Sequence, residues 1–274
     1  MRVAVVGHVE WVDGVRVERL PAAGEIVHAS EFWAEPAGGG AGAAVQLVRL
    51  AGAATLFTAL GDDELGHRSL RELRELGVRV EAVMRPEPQR RALIHVDAAG
   101  ERTITVVGDR MVPKGSDPLP WDELRDYDAV YLTGGDPAAV RAARAARVLA
   151  ATPRSLATLV PAGVLLDALI GSARDEAERY RRGAIVPEPA LVVRTDGERG
   201  GSYETSAGER GRFPAVPPPG AVRDAYGCGD SFAAGLTYGL GRRLPLPEAF
   251  ALAARCGAAC LTGRGAYEGQ LRLV

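Results

Sequence analysis

Apolar strands alternating with helices along 274 residues predict an α/β fold: a doubly wound, mostly parallel sheet flanked by helices. Two observations carry that expectation. Short apolar runs recur at residues 2–7, 54–60, 127–133, 163–169 and 190–195, several of them leaving through glycine or threonine. Between them stand stretches with helical spacing, several closed by glycine. A third observation qualifies the first two, because two segments pattern as β-hairpins and fit an accessory flap better than the core.

In chain order, residues 2–7 read as a buried strand with a glycine exit, followed by a polar, valine-rich section to about residue 36 with a turn at 21–24. The glycine run 38–42 leads into a helix over 43–50 that Gly52 closes. A second unit repeats the pattern: strand 54–60, loop 61–63, and a helix over 65–76 closed by Gly77. Residues 91–97 and 102–107 form a hairpin around Ala98-Ala99-Gly100. Then follow a strand at 127–133, an alanine–arginine helix at 137–151, a strand at 163–169, a helix around 175–180 and a strand at 190–195. A hairpin over about 201–213 turns near Ala207-Gly208, the prolines 217–219 make a rigid approach, and two helices finish the chain. The expectation is one domain over 1–274 with a small β lid from approximately 10–36 and 88–110.

Composition removes several function classes. An apolar fraction of 47% supports a sizeable core, and a net charge of −2 without a basic block argues against a nucleic-acid partner. Lys114 is the only lysine, and Gly115 and Ser116 follow it with no upstream glycine run, which excludes a P-loop and a protein-kinase strand lysine. Cys228, Cys256 and Cys260 offer no disulfide framework, and His8, His28, His67 and His95 have no zinc-ligand spacing. No signal peptide is visible. The longest apolar region, around 156–170, is broken by Pro161 and Asp167, so no membrane span and a cytoplasmic location are expected.

The chemistry concentrates in Asp224-Ala-Tyr-Gly-Cys-Gly-Asp-Ser-Phe232. Phe232, Leu236 and Leu240 recur every four residues and mark a helix. Gly227, Cys228 and Gly229 at its start present unpaired N–H groups and the positive end of the helix dipole to an anion. A carboxylate at the same place, Asp230, is an odd neighbour for a phosphate unless its task is to take a proton. Cradle plus base is the equipment for moving a phosphoryl group onto a hydroxyl.

This segment and the order of the others resemble the ribokinase-like (PfkB) carbohydrate kinase family, essentially from end to end. The resemblance implies the ribokinase-like fold and an ATP-dependent kinase acting on a hydroxyl of a small sugar-like or nucleoside substrate. It assigns Asp230 as the base and Gly227, Cys228 and Gly229 as the anion hole. Asp175-Glu-Ala-Glu178 resembles the family's Asn-x-x-Glu, implying that Asp175 and Glu178 reach Mg²⁺ through water. Thr195-Asp-Gly-Glu-Arg-Gly200 resembles its nucleotide loop, so Thr195, Gly197 and Gly200, with Asp224 and Gly257, fall on the cofactor side. A monovalent cation and a lid-mediated homodimer are further implications.

The acceptor side departs from the pattern. Gly39 and Gly40 keep the family's glycine run, but Gly42 stands where it has asparagine and Val12 where it has aspartate, which leaves Glu10 and Asp13 as substitutes. Two other classes remain open at this point. A catalytically silent nucleotide-binding sensor would explain those losses, and residues 38–43 also fit a dinucleotide fingerprint.

Overall fold

Successive side chains of a strand point to opposite faces, and in the first strand, β1 (Val3–Val6), both faces are buried. Val3 and Val5 join one core cluster while Ala4 and Val6 join another. The same division holds in β8 (Ala129–Leu132), where Ala129 and Tyr131 face one way and Val130 and Leu132 the other. A strand apolar on both faces needs helices on both sides, and the chain supplies them.

The computed structural model describes residues 1–273. After β1 come β2 (Glu10–Arg16), β3 (Glu31–Ala37), α1 (Gly38–Ala51), β4 (Ala54–Gly61), α2 (Glu64–Glu75) and β5 (Val78–Arg85). The hairpin β6 (Arg91–Val96) and β7 (Arg102–Val107) precedes β8, α3 (Pro137–Ala143), β9 (Leu149–Ala151), α4 (Leu156–Ala162) and β10 (Ala168–Ser172). The chain closes with β11 (Leu191–Thr195), β12 (Gly201–Thr205), β13 (Arg210–Phe213), α5 (Cys228–Gly241) and α6 (Leu246–Cys260). The large sheet has nine strands in the order β13-β12-β11-β10-β9-β8-β1-β4-β5, with β12 alone running antiparallel to the rest. Residues from α1, α5 and α6 fill one core; residues from α3 and α4 fill the other. The doubly wound sheet and the second, smaller sheet that the sequence predicts are both present.

Several boundaries differ from expectation. The helix expected over 137–151 stops at Ala143, and Leu149–Ala151 is β9, paired between β8 and β10. Alanine favours a helix, but these three residues are fully buried in the sheet, and tertiary pairing overrides propensity. The strand expected at 163–169 begins only at Ala168, because Gly163 adopts a left-handed φ of 62° as the cap of α4. The helix expected around 175–180 shrinks to one 3₁₀ turn at Glu176–Glu178. In the other direction, α1 starts at Gly38 rather than at residue 43.

The small sheet runs β3-β2-β6-β7 and covers one end of the large one. Its inner face carries Val12, Ala92, Ile94 and Val96 into the core. That face also carries charged residues, among them Glu35 on β3, opposite Val12. Its Oε1 accepts a hydrogen bond from the Ala266 N–H at 2.8 Å, and burial near Asp224 pushes its pKa up to about 7. Tyr267 donates its hydroxyl to the Pro36 carbonyl, and the Gly38 N–H donates to the Tyr226 hydroxyl at 3.2 Å. The small sheet is thus tied to both the start of α1 and the segment before α5.

Candidate active site

In an open α/β sheet the crevice forms beyond the carboxyl ends of the strands, where the strand order reverses. Here β1 lies between β8 and β4, and the chain leaves β1 and β8 side by side at His8 and Thr133. The start of α1 presses onto that end: the Gly40 N–H donates to the His8 carbonyl at 3.1 Å. A Cβ at Gly40 would lie 2.5 Å from that same oxygen, so only glycine lets the helix come this close.

The N-terminus of α5 faces α1. Gly227 takes a left-handed φ of 78° as its cap, and Cys228, Gly229 and Asp230 form the first turn. Their three N–H groups have no acceptor within the helix by its geometry. Gly229 is exposed and nothing stands within 4 Å of where its Cβ would be, so the turn is open to a ligand. Asp230 sits against the floor of α1: its Oδ1 is 3.0 Å from the Cβ position of Gly39, and its Cβ 3.6 Å from that of Gly42. Among the described residues no group hydrogen-bonds its carboxylate. Burial, with Glu178 nearby, pushes its pKa up to about 6, while Arg102 and Arg154 oppose the shift. A carboxylate left without a structural partner and tuned upward beside a ring of free N–H groups is a base candidate on geometry first and pKa second.

The neighbouring positions divide by what they touch. Asp224 is fully buried and committed to backbone, accepting from the Tyr226 N–H at 2.8 Å and the Gly265 N–H at 2.9 Å. Gly257 on α6 packs under the cradle, its Cβ position 3.3 Å from the Cys228 carbonyl. Thr195 ends β11, and Gly197 to Arg199 make a 3₁₀ turn that Gly200 closes. Asp196 in that turn is held well below the usual carboxylate range by Arg199 and Arg174. Asp175 and Glu178 both pair with one guanidinium, Arg154, at 2.8 Å from its Nε to Glu178 Oε1. Glu178 Oε2 also accepts the Ser172 N–H at 2.6 Å.

On the acceptor side Glu10 points to the start of α1, its Cγ 3.0 Å from the Cβ position of Gly38, and pairs with Arg90 at 2.9 Å. Asp13 goes elsewhere. It shares the outer face of the small sheet with Val15, Phe32, Leu93 and His95 and pairs with Arg91 at 2.6 Å. Val12 is wholly buried in the core. Trp11 lies under the Arg68 guanidinium, 4.3 Å from its ring centre.

Sequence reasoning missed a set of arginines and one histidine. Arg110 Nη2 stands 2.9 Å from His8 Nδ1 and also donates to the Thr133 carbonyl. A guanidinium only donates, so Nδ1 accepts and the proton of neutral His8 sits on Nε2. His8 is held neutral, its pKa driven well below the ordinary value by burial and by Arg110, Arg90 and Arg154. Nothing in the sequence marks these arginines among so many others. The position of His8 directly after the first strand was the one available signal.

A family model described as pfkB family carbohydrate kinase matches residues 1–186 and 166–272. An ATP-dependent ribose-1-phosphate kinase of Halopiger xanaduensis is 34% identical over 142 residues, covering 50% of this chain and 47% of that protein. A ribokinase of Dictyostelium discoideum is 31% identical over 108 residues, covering 39% of this chain and 34% of that protein. The chain thus aligns with half or less of the length of these two relatives. The structure of Arabidopsis thaliana ribokinase complexed with ribose and ATP superposes with a TM-score of 0.73, covering 99% of this chain and 96% of the other at 18% identity. At that identity the likeness speaks for the fold alone.

Proposed function

The chain belongs to the pfkB family of carbohydrate kinases, and from that premise we propose that it is an ATP-dependent kinase that phosphorylates a hydroxyl of a small sugar or sugar-like molecule. The observation that carries the reading is Asp230, a carboxylate with no hydrogen-bond partner among the described residues, set in the first turn of α5 against the glycine floor of α1. Its raised pKa suits proton transfer near neutral pH. A hydroxyl resting on Gly39 would lie within reach of Oδ1 and lose its proton there, late in the transfer if the transition state is loose. The N–H groups at the start of α5 would stabilise the charge on the transferred group, and Arg102 of the small sheet acts electrostatically on both Asp230 and Cys228 from above.

ATP would sit between the turn after β11 and the open start of α5. For Mg²⁺ the donor chemistry fits an outer-shell role. The carboxylates of Asp175 and Glu178 already share Arg154, and among the described residues no group of three metal-ligating side chains exists. A magnesium held by the nucleotide phosphates and reached by these two residues through water would supply charge neutralisation during transfer. The small sheet would act as a lid that excludes water from the cleft, and its outer face, where Phe32 and Leu93 are exposed, would suit a second copy of the chain.

The test is an ADP-release screen over free sugars, sugar phosphates and nucleosides, with Asp230→Asn as the background control. ADP release is expected with at least one acceptor and is expected to fall by about 10²–10⁴ in the variant. Release that is independent of acceptor, or equal in the variant, would contradict it. A nucleoside as the preferred acceptor would keep the kinase and correct its substrate.

A further inference from the structure

Three guanidiniums converge on buried His8, and they are not equally matched. Arg90 has Glu10, and Arg154 has Asp175 and Glu178. Arg110 pairs with no carboxylate among the described residues. Its Nη2 is taken by His8 Nδ1 and the Thr133 carbonyl, its Nε is buried without an acceptor, and Thr133 Oγ1 beside it is likewise unpartnered. Burial and the neighbouring Arg90 pull the Arg110 pKa below its ordinary value, against the opposing fields of Glu10 and Asp230, neither of which pairs with it. An unbalanced guanidinium in a cleft is costly unless something anionic arrives to complete it.

Its location says which ligand that is. Arg110 is one imidazole ring away from the floor of α1: His8 Nε2 lies 3.3 Å from the Cβ position of Gly38 and Cε1 3.5 Å from that of Gly39. Asp230 Oδ1 lies 3.0 Å from that same Gly39 position. Arg110 therefore belongs to the acceptor end of the cleft, while the N–H groups of α5 and Arg102 face the group in transit. The same end offers few side chains to read neutral hydroxyls: Gly42 has none, Val12 is buried in the core, and Glu10 is already paired.

We infer that the acceptor is a sugar that already carries a phosphate monoester, held by Arg110 with the His8 Nε2–H beside it, so that the free hydroxyl reaches Asp230. This rests on the kinase reading above and narrows its substrate class. The charge of Arg110 and its Nη1 donors suit the doubly charged phosphate, and a fixed anion site at one end sets which hydroxyl meets the base. A γ-phosphoryl group then passes to that hydroxyl oxygen as the bond to the ADP leaving oxygen breaks, and the hydroxyl proton goes to Asp230. The product is a sugar bearing two phosphate groups.

Calorimetric titration with ADP present, so that the nucleotide side is filled, tests the inference without turnover. The probes are a pentose 1-phosphate, the free pentose and the corresponding sugar acid. Wild-type protein is expected to bind the sugar phosphate at least about tenfold more tightly than either of the others. Arg110→Gln should weaken the sugar phosphate by about 10–100-fold, the scale of a charged hydrogen bond, while leaving ADP affinity unchanged. Arg110→Lys, which keeps the charge, should recover part of the loss, and unchanged ADP affinity in both variants shows that they are folded. The inference is overturned if the free sugar or the sugar acid binds as tightly as the phosphate, or if Arg110→Gln holds the phosphate like wild type. Phosphate-dependent binding without ADP release would support this inference and remove the kinase reading instead.

Discussion

The two ends of the cleft are built from different materials. The phosphoryl end is mostly backbone: a left-handed Gly227, the first N–H groups of α5, and a carboxylate fixed by its place in the first turn. The acceptor end is mostly side chains from distant parts of the chain, with His8 after β1, Glu10 on β2, Arg90 before β6 and Arg110 after β7. Backbone geometry is written in consecutive residues, whereas a side-chain cluster is written only in the fold. The difference separates a mechanism that local sequence specifies from a specificity that it does not.

Perturbing each end in turn should break the comparison in a graded way. The largest effect belongs to Asp230→Asn, which should lower kcat by about 10²–10⁴ while ATP still binds, as measured by ADP release and nucleotide titration. Next comes Arg154→Gln, which leaves Asp175 and Glu178 without their shared cation. Removing that positive charge should raise the Asp230 pKa further and raise the KM for ATP by about tenfold, on the scale of a charge-assisted hydrogen bond.

A smaller effect concerns stability. Because the Asp230 pKa in the fold lies above its ordinary value, the folded protein holds a proton that the unfolded chain releases between about pH 4 and pH 6. The charged form therefore destabilises the fold as pH rises through 6, and Asp230→Asn should melt above wild type at pH 8 but not at pH 4. Smallest is Glu35→Gln in the small sheet. Its pKa of about 7 carries the same sign, so the amide, which keeps an acceptor for the Ala266 N–H, should raise the melting temperature above pH 7 and leave it unchanged at pH 4.

How much was legible follows the same division. Glycine exits, helical spacing and the 224–232 segment disclosed the doubly wound sheet and the start of α5. Residues 137–151 misled because alanine and arginine favour helix locally, while β9 exists only because β8 and β10 flank it. Glu10 could be singled out by its place after β1, yet Asp13, three residues on, could not be assigned a face without the pairing of β2 with β6. Arg110 was invisible for a different reason. Its significance lies in what it lacks, and a missing partner has no sequence pattern.

The role of Asp230 as a carboxylate base is tested most directly by the pH profile of kcat/KM. Since the base must be ionised, the profile should fall about tenfold per pH unit below about 6, following the raised pKa, while ADP affinity shows no matching break. The residual activity of Asp230→Asn should lack that limb. A profile flat from pH 5 to 8, or the same limb in the variant, would contradict the mechanism.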